Sequence, residues 1–188
     1  MSAGEALASV LWQSPGDRST EVCRLHTTTS GFALEGLVLV PIDGEPARVE
    51  YRVDADARWV TRRAHLVIAA SSGTRSIELA HEDDLWTLDG RALPEADGCV
   101  DVDLRVTPAT NTLPIRRLGL DIGEHADVRA AWVGFPGLEV EPVDQTYERS
   151  NQDTYRYRAG DFEADLVVSE AGLVLRYGTE YWSALAYR

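Results

Sequence analysis

Apolar and charged residues alternate with a period of two along most of this 188-residue chain. Residues 49–54 read VEYRVD, residues 100–105 read VDVDLR, and residues 162–166 read FEADL. Successive side chains of a strand point to opposite faces of a sheet, so the pattern predicts strands with one packed face. The other face would meet water or a lined cavity. The alternation excludes a mainly helical fold, whose apolar residues would recur about every three to four positions.

Turn-forming residues separate these runs at short intervals. DG pairs occur at residues 43–44, 89–90 and 97–98, and SPGD occurs at residues 14–17. Strands joined so closely pair antiparallel, because a parallel crossover needs about a dozen residues or more. We therefore predict a nearly all-β fold, an antiparallel meander of about 12 to 15 strands with at most short helices.

Residues 107–118 (TPATNTLPIRRL), called the central segment below, break the alternation near the middle of the chain. Pro108 and Pro114 exclude an interior strand, because proline lacks the N–H group that a strand ladder requires. Asn111 or Thr112 could cap a short helical turn with Pro114 in its first turn. We expect the segment to join two halves of the protein.

The two halves share a spacing that is typical of an internal duplication. VxY at residues 49–51 precedes WxxR at 59–62, and QxY at residues 145–147 precedes YxxR at 155–158. Chance matches of this size are common in β proteins, so duplication and coincidence are both open. No linker separates the halves, and we expect a single domain over residues 1–188.

The chain is acidic, with 31 Asp and Glu residues against 18 basic ones and a net charge of -13. A nucleic-acid partner is disfavoured, because phosphate contacts need clustered positive charge. Every basic residue is arginine. A Walker-A lysine, a Schiff-base lysine and a Ser–Lys dyad are therefore excluded.

Compartment and bound groups are inferred from features that the sequence lacks. The start MSAGE has no basic region of a signal peptide, and no stretch approaches the roughly 18 apolar residues of a membrane span. Two cysteines are too few for a disulfide scaffold or a zinc site. Residues 81–84 (HEDD) could hold a metal but match a charged hairpin loop more closely. We predict a cytoplasmic protein with no membrane insertion, no metal and no cofactor; its oligomeric state is undetermined.

Asp101 and Asp103 share one face of a predicted strand, with side chains about 7 Å apart. Paired carboxylates supply the acid and the base or nucleophile of a glycosidase. On an antiparallel sheet, two such aspartates more commonly form a solvated face, and we favour that interpretation. A third interpretation is that the two aspartates form hydrogen bonds to a ligand.

Arg62 and Glu21 occupy positions that the alternation assigns to apolar faces. An unpaired charge there is costly, so each needs a partner or a polar cavity. A structural Arg–Glu pair and a cavity for polar head groups are the two alternatives.

Several further side chains are suited to sugar or anion recognition. Gln145, Tyr147 and Arg149 share one strand face, and Arg116 and Arg117 could bind phosphate or carboxylate in a bidentate way. Surface pairing with the abundant acids is an equal alternative for the arginine doublet. Five tryptophans suit sugar stacking and ordinary cores equally well.

The run CVDVDLRVTPATNTLPIRRL at residues 99–118 resembles the signature of the bacterial putative glycolipid-binding family, formerly a domain of unknown function. Supporting matches are YRV at residues 51–53 with WVTR at 59–62, QTYER at 145–149, and residues 157–177. The resemblance implies an antiparallel open or half β-barrel, described as spoon-like and related to lipoprotein-localisation carriers. It also implies a role in holding lipid or glycolipid.

From the residues and the resemblance together, we expect non-catalytic binding of an amphipathic small molecule, a lipid or glycolipid, in a β-barrel cavity. The alternatives are a protein-interaction module without a ligand cavity and a sugar or lipid hydrolase that uses Asp101 or Asp103. The predicted ligand-binding residues are Trp59, Arg62, Asp101, Asp103, Asn111, Arg116, Arg117, Gln145, Tyr147 and Arg149.

Overall fold

The computed structural model describes residues 5–188, and most of this range is β-sheet. The fifteen strands are β1 Ala6–Ser14, β2 Ser19–Thr27, β3 Gly31–Ile42, β4 Glu45–Asp56, β5 Thr61–Ala70, β6 Gly73–Glu82, β7 Leu85–Leu88, β8 Arg91–Ala92, β9 Asp101–Leu104, β10 His125–Val133, β11 Val140–Arg149, β12 Thr154–Ala159, β13 Phe162–Val168, β14 Val174–Tyr177 and β15 Trp182–Tyr187. The helical elements of this range are the 3-10 turns Pro94–Ala96 and Ala109–Asn111 and the helix α1, Thr112–Leu118. No helix among residues 5–188 is long and apolar enough to cross a membrane.

All fifteen strands belong to one sheet, in the order β8-β7-β6-β5-β4-β3-β2-β1-β15-β14-β13-β12-β11-β10-β9. Strands that are consecutive in the chain are neighbours in the sheet from β1 to β8 and from β9 to β15. We call β1 to β8 the first arm and β9 to β15 the second arm. The first strand, β1, pairs with the last strand, β15, and this pair joins the two arms. Every pair is antiparallel except β9 with β10, which run parallel because the central segment lies between them in the chain. The predicted antiparallel meander is confirmed.

The sheet curls, but its ladder does not close into a barrel. The chain leaves β8 at one edge and reaches β9 at the other edge after residues 93–100, so the two edges lie near each other. Side chains bridge the gap: the Trp86 indole N–H donates to the Cys99 carbonyl at 2.9 Å, and the Val102 N–H donates to Thr61 Oγ1 at 3.0 Å. The open-barrel architecture implied by the family resemblance is confirmed.

The inward face of the curl holds the apolar core. On β4, Val49, Tyr51 and Val53 are buried and alternate with the exposed Glu50 and the half-buried Arg52. Every second side chain of the strand therefore points into the core, as expected for a sheet with one packed face. The aromatic residues of the second arm form a separate cluster around Tyr147.

The central segment lies between the two arms and is largely buried. Its helix α1 has Pro114 in the first turn, as predicted. Asn111 occupies the N-cap position, as one of the two predicted caps, but its side chain makes no capping hydrogen bond. Both side chains bond elsewhere: the Thr112 hydroxyl donates to the Gly172 carbonyl at 3.1 Å, and the Asn111 amide donates to the Pro108 carbonyl at 3.2 Å.

One tyrosine from each arm holds this segment in place. Tyr51 of β4 has its hydroxyl 3.2 Å from Thr107 Oγ1, and Tyr147 of β11 donates its hydroxyl to Asn111 Oδ1 at 2.8 Å. These tyrosines are the matched positions of the spacing shared by the two halves. They have the same structural role, and an internal duplication stays a prediction.

Arg62 does not lie on the apolar face, and that expectation is wrong. A bulge between Asp54 and Ala55 shifts the β4–β5 register, so that Ala55 pairs with Thr61 and Asp54 with Arg63. The extra residue reverses the alternation locally. Thr61 is therefore buried, whereas Arg62 is exposed on the surface.

Candidate functional site

A cavity of about 730 Å³ lies inside the second arm, beside the central segment. Its volume is within the usual range of small-molecule sites, about 300–1,000 Å³. It is lined by residues of strands β9 to β15, of the β1–β2 turn and of the start of the central segment, and it is open to solvent on one side. The lining residues are Ser14, Gly16, Asp17, Asp103, Leu104, Arg105, Thr107, Asn111, Trp132, Glu141, Val143, Tyr157, Ala159, Phe162, Tyr177, Glu180, Tyr181 and Trp182.

Aromatic rings form one wall of the cavity. Tyr157, Phe162, Tyr177 and Tyr181 contact one another in edge-on or tilted arrangements, with centroids 5.3–6.1 Å apart. Such packing leaves apolar ring faces for an alkyl chain or a sugar face. Burial and the nearby Asp103 charge raise the pKa of Tyr157 and Tyr177, so both phenols stay protonated and can donate hydrogen bonds.

Asp103 lines the cavity and is half-buried. Its Oδ1 accepts from the Thr110 hydroxyl at 3.1 Å and its Oδ2 accepts from the Gln145 amide at 2.6 Å. Burial raises the pKa of Asp103, hydrogen bonds from Gln145 and Thr110 oppose this shift, and the charge of Asp101 adds to it. Each oxygen retains acceptor capacity for a ligand hydroxyl.

Asp101 is buried behind this lining and forms an ion pair with Arg117. The Arg117 Nε–H donates to Asp101 Oδ1 at 3.3 Å, and its Nη2 donates to Oδ2. Burial raises the pKa of Asp101, and the bonds and charge of Arg117 oppose the shift. The preferred interpretation of Asp101 and Asp103 as a solvated face is wrong, because β9 is covered on both faces: Val102 and Leu104 are buried on one face, and Asp101 is buried and Asp103 half-buried on the other.

The other predicted residues, except Asn111, do not line the cavity. Tyr147 is fully buried and donates its hydroxyl to Asn111, and Gln145 is buried and donates its amide N–H to Asp103. Arg149 donates to the carbonyls of residues 120 and 152 at 2.8 and 2.6 Å, outside the cavity. Arg62 pairs with Asp56 at 2.7 Å on the surface.

Trp59, Arg116 and Arg117 lie in a different cleft, on another side of the central segment. The structure therefore brings Asp103 and Asn111 together on the cavity lining, with Gln145 hydrogen-bonded to Asp103, and separates the four predicted arginines from the cavity. Ligand contact by any of the ten residues stays a prediction.

The sequence patterns did not connect Glu21 with its partners. Glu21 is fully buried, and its Oε1 accepts from the Thr107 hydroxyl at 2.7 Å and from the Tyr51 hydroxyl. Its Oε2 has no hydrogen-bond partner among residues 5–188. Burial raises the pKa of Glu21 to about 8, against the lowering effect of both hydrogen bonds. The position of Glu21 on an apolar face was the only sequence signal that it needs a partner. The partners themselves, Tyr51 and Thr107, lie far from it in the chain, so no local pattern indicated them.

His81 is also a core residue. Its ring stacks on Trp86 with centroids 4.6 Å apart, and its Nδ1 lies 2.9 Å from the Thr61 carbonyl. In the described range, no group of three or more His, Cys, Asp or Glu side chains is arranged to hold a metal ion.

Comparison with known proteins identifies the family. The profile of the family described as putative glycolipid-binding matches residues 9–182. The crystal structure of a DUF1089 family protein from Pseudomonas aeruginosa is similar, with a TM-score of 0.79 and 34% sequence identity over 96% of this chain and 97% of that chain. A search of curated proteins finds no match. The chain belongs to the putative glycolipid-binding family, formerly DUF1089.

Proposed function

We propose that this protein binds an amphipathic small molecule, a lipid or glycolipid, in the cavity of the second arm without converting it chemically. The observation that carries the proposal is a cavity of about 730 Å³ with an aromatic wall and a half-buried carboxylate, Asp103, on its lining. The name of the family, which refers to glycolipids, supports the same ligand class. We keep the cytoplasm as the proposed compartment.

Each part of the ligand would have a matching surface. An alkyl chain would lie against Tyr157, Phe162 and Tyr177, where each buried methylene contributes about 0.8 kcal/mol. The polar head would accept and donate hydrogen bonds at Asp103 and Asn111, which both line the cavity. Gln145 would hold the Asp103 carboxylate in position through its 2.6 Å bond.

Native mass spectrometry with lipid extraction of the same sample tests this proposal. A co-purified lipid, or uptake of n-octyl glucoside or n-dodecyl maltoside below their critical micelle concentrations, is the expected result. A bare protein mass that these amphiphiles do not change would overturn it.

A cavity-filling variant locates the binding. Ala159→Phe places a ring in the cavity lining, and Val22→Phe places the same ring on the outer face, where Val22 is exposed. We expect Ala159→Phe to abolish maltoside uptake and Val22→Phe to leave it unchanged. Equal uptake by both folded variants would place the binding outside this cavity.

A hydrolase is the second candidate, and one observation favours it. The raised pKa of Asp103 within a cavity is typical of a catalytic acid. Asp101 is engaged by Arg117, so a second catalytic carboxylate would have to come from Asp17, Glu141 or Glu180 on the cavity lining. The hydrolase function would be established if the parent protein hydrolysed members of an alkyl glycoside panel and the Asp103→Asn variant did not. The binding proposal expects no hydrolysis by the parent protein or by the variant.

A further inference from the structure

We propose a second binding site, for a phosphate group, in the arginine cleft between the β4–β5 turn and the end of α1. This cleft has a volume of about 530 Å³ and is separate from the amphiphile cavity, with which it shares no lining residue. Its lining residues are Arg58, Trp59, Val60, Val100, Arg116 and Arg117.

Three guanidinium groups line one cleft of a protein whose net charge is -13. Eight arginines of the described range pair with a carboxylate. Arg58 and Arg116 are not among these eight, so their charges are available to a ligand. Arg117 is held by Asp101 but keeps N–H donors that this pair does not use. The cleft therefore has a local excess of positive charge in an acidic molecule.

Arg116 is fixed in its place by two contacts. Its Nη1 donates to the Glu170 carbonyl at 3.2 Å, and its guanidinium lies over the Trp59 ring at 5.2 Å from the centroid. Phe32 stacks on the same ring at 3.8 Å. A guanidinium held in this way loses less conformational freedom when it binds an anion.

The turn that carries Arg58 and Trp59 is also held rigidly. Asp56 Oδ1 accepts from the backbone N–H groups of Arg58 at 2.8 Å and Val60 at 3.0 Å. Trp59 adopts a left-handed backbone conformation with φ of 66°, which is unusual for a bulky side chain. Such strain persists only where surrounding contacts impose it and is frequent at ligand sites.

Phosphate is the ligand chemistry that fits these donors. Guanidinium groups bind phosphate oxygens through pairs of parallel hydrogen bonds. Trp59, Val60 and Val100 add apolar surface beside the arginines, which would accept the organic part of a phosphorylated molecule. A free phosphorylated metabolite and a phospholipid head group share this chemistry.

Titration at constant ionic strength, followed by 15N spectra of the arginine and tryptophan side chains, tests the proposal. The probes are inorganic phosphate, phenyl phosphate and dihexanoyl phosphatidic acid, with chloride as the reference anion. We expect saturable shifts of Trp59 and the cleft arginines with phosphate probes only. Tighter binding of phenyl phosphate would indicate a free metabolite as the source, and tighter binding of the phosphatidic acid a lipid head group.

Variants separate specific binding from general attraction. Because a hydrogen bond to a charged group contributes strongly, Arg58→Gln and Arg116→Gln should each weaken phosphate binding by about tenfold. Arg91→Gln, at an exposed arginine of β8 outside the cleft, is the matched control and should bind as the parent protein does. Arg58 is exposed and makes no side-chain bond within residues 5–188, so its variant should fold normally. Shifts that do not saturate, or equal effects of all three variants, would overturn the proposal.

Discussion

Glu21 contributes to the pH dependence of the stability of this protein, and Glu21→Gln should remove that contribution. Burial raises the pKa of Glu21 from an ordinary 4.5 to about 8. The folded state therefore binds this proton more tightly than the unfolded state does. The resulting stabilisation is complete below pH 4.5 and is lost as the pH rises toward 8. Glutamine cannot ionise, and its amide oxygen can still accept from Tyr51 and Thr107.

The magnitude follows from the shift. Each pH unit between the two pKa values changes the free energy of unfolding by about 1.36 kcal/mol. Between pH 5 and pH 7, the parent protein should therefore lose about 2.7 kcal/mol relative to the variant. The other buried acids titrate in both proteins and cancel in this difference.

Urea denaturation at pH 5, 6 and 7 measures the effect. The comparison uses the change in the stability difference with pH, so any constant cost of the glutamine amide cancels. Glu95→Gln, at an exposed glutamate, is the control and should follow the parent protein. Parallel stability curves for the parent protein and Glu21→Gln would refute the reasoning.

Three further predictions concern the central segment and the cavity. Arg117→Gln leaves the buried Asp101 carboxylate unpaired and should lower the free energy of unfolding by about 3–5 kcal/mol. The double variant that also carries Asp101→Asn should recover part of this loss, and urea denaturation measures both changes. Tyr147→Phe removes the hydroxyl that donates to Asn111 Oδ1, and should cost about 1–3 kcal/mol in the same assay. Octyl sulfate should bind the cavity at least about tenfold more weakly than octyl glucoside in calorimetric titration, because the lining includes four acidic side chains and one arginine. Comparable affinity would show that these charges do not select the head group.

Much of the fold could be predicted from local patterns. The period of two predicted strands, and the short turns predicted antiparallel neighbours, because both depend on residues close together in the chain. The prolines of the central segment predicted its departure from the sheet for the same reason. The pairing of β1 with β15 had no such signal, since its partners lie at opposite ends of the sequence.

The candidate site was harder to predict. Alternation shows that Asp101 and Asp103 share a face of β9, but it does not show that the structure covers both faces of this strand. Arg62 was misplaced because a bulge reverses the alternation without changing the composition of the strand. The aromatic wall of Tyr157, Phe162 and Tyr177 comes from three different strands, so it depends on curvature that no single strand encodes.

The sequence by itself determined the strand content, the antiparallel pairing of strands joined by short turns and the break at the central segment, because each follows from the chemistry of neighbouring residues. Only the tertiary structure decided the partners of the buried charges. Asp103 meets Gln145 across 42 positions of the chain, and Glu21 meets Thr107 across 86. Such contacts form when a curled sheet brings distant strands around one segment, so their energies depend on burial and distance rather than on local sequence.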